Sequence, residues 1–255
     1  MSTPLLATLG LRVTIAGITV CSDLALSIRR GECWAVLGRN GAGKTTLLHT
    51  LAGLRPPAAG SIDFAGRPLA AWTGRKLARR RALLAQDDFD AFPASVLETT
   101  LIGRHPHLSR WEWESPRDYA IARAALAAVD FAEGEARDVR TLSGGERRRV
   151  GLAALLAQEP ELFLLDEPAT HLDLAHQLAV LDRLTAIARD QQKSLIMVVH
   201  DVNLATRYCD HALLLDRGSA LAGPAVELLT AERLSALYGV ALRTLRDESR
   251  RVFVT

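Results

Sequence analysis

Apolar residues fall along the chain in short runs whose spacing changes twice. Before residue 38 they form brief β-type runs, LRVTI, ITV, LALSI and CWAVLG, punctuated by turn-forming Gly17, Ser22-Asp23 and Arg30-Gly31. This pattern predicts an antiparallel lead-in to a buried strand. From Lys44 the stretch TTLLHTLAGL takes helical spacing and runs into Pro56-Pro57, which cannot continue a helix interior. After Gln86 the pattern is helix-rich to about residue 160. Ser95 with Glu98 makes a capping box, Ser115-Pro116 sets a cap before a proline suited to the first helical turn, and residues 119–129 are alanine-rich. Beyond Pro160 short apolar runs alternate with helices: ELFLLDE, a helix after Asp173, SLIMVVH, a short helix, then HALLLD. That is the βαβ rhythm of a parallel sheet. The expected organisation is one α/β domain over residues 1–255, with a core and its antiparallel part in 1–86 and 161–255 and a helical subdomain inserted over 87–160.

Composition narrows the class. With 255 residues, 49% of them apolar, the chain can bury a sizeable core and is neither disordered nor fibrous. The 31 lysines and arginines against 29 acidic residues leave no whole-chain field for nucleic acid or an anionic membrane. The arginine runs at 79–81 and 147–149 lie beside helix boundaries and read as solvated faces, so no nucleic-acid partner is expected. Cys21, Cys33 and Cys209 show no metal or redox spacing and read as apolar packing residues of a reducing cytosol. No run reaches the roughly 18–20 apolar residues of a spanning helix. Work at a membrane would need another chain to cross it.

Residues 38–45, GRNGAGKT, match the phosphate loop GxxxxGK(S/T) and sit between an apolar strand and a helix. The nucleotide-binding set is Gly38, Arg39, Asn40, Gly41, Ala42, Gly43, Lys44, Thr45 and Thr46. Backbone N–H groups turn inward around the phosphates, the helix N-terminus adds its dipole, Lys44 reaches the β and γ oxygens, and Thr45 ligates Mg2+. Mg2+ keeps several waters and borrows one or two carboxylates. Asp166, ending the run LFLL, would emerge at the carboxyl edge of a buried strand beside that loop. Glu167 is then placed to polarise the attacking water, a role worth about 10^2–10^4 in rate. In LSGGE, residues 142–146, Ser143 and Glu146 form a further capping box. The motif reads either as that cap alone or as a second anion-binding helix end formed by Ser143 and the N–H groups of Gly144 and Gly145.

The phosphate loop, LSGGE and LFLLDE occur in the order found in ABC ATPases, and the chain resembles that family over most of its length. The resemblance implies a P-loop NTPase core with an antiparallel β subdomain and an inserted helical subdomain carrying the signature. It implies ATP and Mg2+ as cofactors and a head-to-tail homodimer around two ATP molecules. Ser143, Gly144, Gly145 and Glu146 of one copy would cover the γ-phosphate held by the other. Gln86 resembles the glutamine that touches Mg2+ or the lytic water and senses the permease. His200 resembles the switch histidine at the γ-phosphate, and Asp173, in PATHLD, the aspartate linking the two sites. Two positions depart from the family: Ile15 stands where an aromatic usually stacks on adenine, and Ala169 where threonine is usual.

The segments RPLAAWTGRKLARRRALLAQ, LETTLIGRHPHLSRWEWES and LTAERLSALYGV resemble the ATPases of bacterial type II importers for cobalamin, haem or ferric siderophores, cobalamin being the first choice. The likeness implies two integral-membrane permease subunits, an extracytoplasmic substrate-binding protein, and peripheral placement on the cytoplasmic face of the inner membrane. The surface around Gln86, Phe89 and Pro93 would receive the permease. Trp111 and Trp113 read as a partner-facing patch or as local packing. Rival readings are a soluble ABC machine on DNA or ribosomes, which should carry a long coiled coil or a second ATPase domain, and a P-loop kinase, where LSGGE has no role. Against an exporter ATPase only the three softer segments argue.

Overall fold

The computed structural model describes residues 3–86, 93–247 and 250–255. Strands β1 (Leu6–Ile15) and β2 (Ile18–Ile28) form a hairpin. Its two-residue turn, Ala16-Gly17, has φ of 48° and 81°, the left-handed pair that matches strand twist. Strand β3 (Cys33–Gly38) runs through the glycine loop into helix α1 (Lys44–Leu51). The helix stops short of Pro56. Gly53, at φ 71°, and Leu54 donate to the Thr50 and His49 carbonyls, the glycine stop that satisfies a helix's last acceptors. Strands β4 (Ala59–Phe64) and β5 (Arg67–Pro68), which the sequence pattern does not predict, complete an antiparallel sheet ordered β2-β1-β4-β5.

Helix α2 (Gly74–Ala78) leads to β6 (Arg81–Leu84), and helices α3 (Val96–Leu101), α4 (Pro116–Ala128) and α5 (Gly144–Ala157) follow. The capping boxes at Ser95/Glu98 and Ser143/Glu146 are present, and Ser115 makes a third with Asp118. Arg104 is buried and joins these helices: it donates to Asp118 at 2.8 Å, to Glu159 at 2.8 Å and to the Ala157 carbonyl at 2.7 Å.

The α/β alternation continues through β7 (Leu162–Asp166), α6 (Leu174–Asp190), β8 (Ser194–Val198), α7 (Val202–Tyr208) and β9 (His211–Asp216). It closes with β10 (Ser219–Pro224), α8 (Ala225–Leu228), α9 (Ala231–Tyr238) and a hairpin of β11 (Arg243–Asp247) and β12 (Arg250–Val254). Six strands ordered β10-β9-β3-β8-β7-β6 form one sheet, antiparallel only at β10.

Every residue of β3, β7 and β8 is buried. Alternate side chains enter two cores. Leu37, Phe163, Leu165 and Met197 pack with Leu152 of α5 and Leu181 and Leu184 of α6. Val36, Leu164, Ile196 and Val198 share the other core with Leu47 and Leu48 of α1 and Ile28 of β2. Burial on both faces is why these strands read as unbroken apolar runs.

The arginine runs are not solvated faces. Arg148 is 6% exposed. Arg80 donates to Glu161 at 2.9 Å and lies over the Trp72 ring, and burial lowers the pKa of Arg81. Arg79 is exposed, yet it donates to the Pro106 carbonyl at 2.6 Å. Net charge gives no hint of this, because the groups that hold Arg79, Arg80, Arg148 and Arg149 lie elsewhere in the sequence. Trp111 and Trp113 are 86% and 87% exposed, with only the neighbouring Arg110 guanidinium over the Trp111 ring, so they do not fill a local core. The cysteines are free and buried, and burial pushes the Cys33 thiol up to about 12. Among the described residues no helix is long and apolar enough to cross a membrane.

Hydrogen bonds from Ser115 and Arg104 hold the Asp118 carboxyl at about 2. A carboxyl depressed in the folded state stabilises above its unfolded pKa, and that contribution fades as pH falls through the folded value. Asp118→Asn should therefore cost about 3 kcal/mol in urea unfolding at pH 7, since it strips one partner from a buried pair. The gap from wild type should narrow as the pH is lowered from about 4 to about 2.

Candidate active site

Four adjacent parallel strands end along one edge of the sheet. Pairing sets Asp166 of β7 beside Val198 of β8, Val198 beside Val36 of β3, and Leu165 beside Leu84 of β6. Residues just past those ends therefore leave the sheet together, where ligands sit in open α/β sheets. Asn40, Gly41, Gly43, Lys44, Thr45 and Thr46 line an open cleft of about 570 Å3 with Ile15, Gln86, Glu167 and His200.

Backbone geometry makes the loop. Gly41 and Gly43 have φ of 78° and 90°, and a Cβ on Gly43 would lie 2.5 Å from Val20 of β2. Only glycine lets the loop turn this close to the antiparallel sheet. Because Gly43 caps α1 with no side chain, the first-turn N–H groups are left for an anion to satisfy. Gly38, Arg39 and Ala42 shape the loop rather than line the cleft: Ala42 N–H donates to the Arg39 carbonyl at 3.1 Å, and a Cβ on Gly38 would meet the Leu215 carbonyl at 2.7 Å. Lys44 Nζ donates to the Gly38 and Arg39 carbonyls at 2.9 and 3.1 Å. Burial lowers its pKa, and the charges of Glu167 and Asp166 oppose that.

Asp166 is fully buried, and among the described residues only the Thr45 hydroxyl stands by its carboxylate oxygens. Burial raises its pKa, and the neighbouring Thr45 hydroxyl draws it back. A buried carboxylate with so little pairing is costly unless a proton or a cation takes its oxygens. A carboxylate and a hydroxyl at the edge of an open cleft suit Mg2+, which takes few protein oxygens and keeps waters. The described residues hold no group of three or more His, Cys, Asp or Glu side chains that could cage another metal.

Glu167 has φ 51°, a left-handed backbone that costs an L-residue about 1–2 kcal/mol. Its Oε1 lies 2.6 Å from His200 Nε2, and its Oε2 accepts from the Thr170 hydroxyl at 3.1 Å. The carboxylate is thus aimed into the cleft edge that His200 and Gln86 share, in position to take a proton from a water.

The structure does not bring LSGGE or Asp173 into this cleft. Ser143, Gly144, Gly145 and Glu146 line a second opening of about 490 Å3 with His171, Asp173 and His176. Glu146 accepts from Arg137 at 2.6 Å and from Ser143 N–H at 2.8 Å, and these bonds hold its carboxyl at about 2. Asp173 caps α6, accepting the His176 N–H at 2.9 Å, with its other oxygen 2.8 Å from His176 Nδ1. Ala169 is buried in the core. Phe89 lies outside the described residues, and Pro93 is exposed.

Two contributors escape a reading of the sequence. Thr170 carries a weak signal, a hydroxyl one turn after Glu167. Arg148 carries none, because nothing local distinguishes it from Arg147 and Arg149.

A family model described as ABC transporter matches residues 21–170. The chain is 43% identical over 243 residues to the hemin import ATP-binding protein of Burkholderia ambifaria, covering 88% of this chain and 89% of that one. It is 38% identical over 230 residues to the cobalamin import ATP-binding protein of Halobacterium salinarum, covering 90% of this chain and 57% of that one. A solved chain described as an inward-facing metal-chelate type ABC transporter superposes with a TM-score of 0.86 at 28% identity, covering 98% of this chain and 97% of that one.

Ile15, 38% exposed, offers a base only aliphatic surface. Stacking on an aromatic contributes about 1–3 kcal/mol. Ile15→Tyr should tighten ATP binding by about tenfold in a nucleotide titration; equal affinities would show that the base rests elsewhere.

Proposed function

The chain belongs to the ABC transporter ATPases, and we propose that it is the subunit that powers a bacterial importer of a metal chelate, with haem or cobalamin the leading cargoes. The observation that carries this reading is the split site. The phosphate-loop cleft and the LSGGE cleft are separate in one chain, and each is bordered by a helix start, that of α1 uncapped by any side chain and that of α5 opened by Ser143, Gly144 and Gly145. Two copies joined head to tail make each cleft whole, with ATP held between the loop of one and Ser143, Gly144 and Gly145 of the other. Two helix N-termini then face the γ-phosphate. The identities to hemin and cobalamin import proteins support import, and a ferric siderophore is the third candidate cargo.

In this reading ATP is hydrolysed by positioning and electrostatics. Lys44 turns from the Gly38 and Arg39 carbonyls to the β and γ oxygens. Thr45 and Asp166 would hold Mg2+, with Gln86 nearby, and the ion would neutralise charge developing on the phosphates. Glu167 takes the proton of the attacking water, steadied by Thr170 and by His200, which also reaches the γ-phosphate. Asp173 stands at the LSGGE cleft to relate the two sites. Closing and reopening the dimer does work only through the difference in stability of the two states.

The permease subunits, two per dimer, dock on the helical part, residues 87–160, and on the exposed side of Gln86. A groove of about 320 Å3 lined by Leu83, Thr99, Ile102, Val150 and Gln158 is the receiving surface. The exposed Trp111 and Trp113 extend the partner-facing surface. A substrate-binding protein works across the membrane, and the chain sits peripherally on the cytoplasmic face.

Glu167→Gln should lower kcat by about 10^2–10^4 while ATP still binds and traps a dimer visible by size-exclusion chromatography. Unchanged hydrolysis would remove Glu167 as the base. Ser143→Arg should abolish turnover while each chain still binds nucleotide, and normal turnover would rule out the shared site. ATP-dependent uptake of haem, cobalamin or a ferric siderophore into vesicles holding the captured permease tests the direction and the cargo. Failure with all three would overturn the metal-chelate assignment.

A further inference from the structure

Arg148 projects from α5, the helix that Ser143 opens, and its guanidinium is buried. It reaches three backbone carbonyls outside that helix. Nη1 donates to Ala85 at 2.5 Å, and Nη2 donates to Glu167 at 2.9 Å and to Asp166. Ala85 immediately precedes Gln86, so one planar cation joins the LSGGE helix, the segment carrying Gln86 and the acidic pair.

The last two contacts have a specific consequence. The Asp166 carbonyl belongs to the peptide plane before the Glu167 Cα, and the Glu167 carbonyl to the plane after it. A donor bonded to both fixes the two planes whose relative rotation defines φ and ψ of Glu167. That residue sits at φ 51°, where an unassisted L-residue relaxes away. Relaxation would swing the carboxylate off His200 and off the water.

We propose that Arg148 is a positioning residue: by clamping both peptide planes of Glu167 it holds the left-handed backbone that aims the carboxylate, and it ties that aim to the LSGGE helix and to Gln86. The inference rests on the reading of Glu167 as the base. A rotation of α5 relative to the sheet must either carry Glu167 with it or break these bonds. The rigid fork of guanidinium donors suits three carbonyls at once; a lysine supplies one point charge on a flexible stem.

The test compares wild type, Arg148→Lys and Arg148→Gln in the full chain, reading kcat, KM and Kd for ATP, and Tm. Because misplacing a catalytic group by about 1 Å costs on the order of 10^2, kcat should fall about 10- to 100-fold in both variants. KM and Kd should stay within about twofold, since Arg148 lies outside the phosphate-loop cleft. Arg148→Gln, neutral and still able to donate, keeps the measurement open if a buried lysine unfolds the chain. Added to Glu167→Gln, Arg148→Lys should lower the residual rate no further, because both act through one carboxylate. A kcat within about twofold of wild type, a loss that multiplies on the Glu167→Gln background, or an ATP affinity falling in step with kcat would each overturn the proposal. Failure of the underlying reading looks different: the single variant Glu167→Gln would hydrolyse ATP at the wild-type rate.

Discussion

The active edge depends on the register of four parallel strands. A slip of β7 by one residue against β8 would move Asp166 by about 3.3 Å and turn its side chain to the other face of the sheet. What prevents the slip is burial on both faces. Phe163 and Leu165 fill one core while Leu162 and Leu164 fill the other, so no alternative pairing keeps both filled. The loop after Gly38, the Gln86 segment, the acidic pair and His200 meet because their strands end in step, although they are far apart in sequence.

At that edge the isolated chain carries unmet electrostatic demands. Asp166 is buried with only the Thr45 hydroxyl beside its oxygens among the described residues, Lys44 is buried with its ammonium turned to its own loop, and α1 begins without a side-chain cap. Each is a cost in the free chain that a bound anion and cation would relieve. The LSGGE end is capped by its own Ser143–Glu146 box, with Gly144 and Gly145 lining the second cleft. The two helix starts thus border two separate clefts rather than one closed pocket, and on the proposed function that separation would link binding to association.

Arginine is the fastener throughout. Arg104 holds α4 to the end of α5, Arg80 and Arg30 hold Glu161 at the start of β7, and Arg148 joins α5 to the end of β7. These attachments place the helices between β6 and β7 against the sheet edge through polar contacts as well as apolar packing. Planar, multidentate guanidinium groups fix orientation as well as distance.

The sequence by itself determined what closes within a few residues or fills a strand on both sides. The glycine loop with its lysine, the boxes at Ser95 and Ser143, and the buried runs ending at Gly38 and Asp166 were legible because each depends on immediate neighbours. The tertiary structure alone decided which arginine of residues 147–149 is buried, that residues 59–64 return to pair with β1 and carry β5 on their other side, that Trp111 and Trp113 stand in solvent, and that LSGGE and the phosphate loop occupy separate clefts. Those outcomes are settled by partners distant along the chain, chosen by the packing of whole elements, and local pattern carries no record of a partner's location.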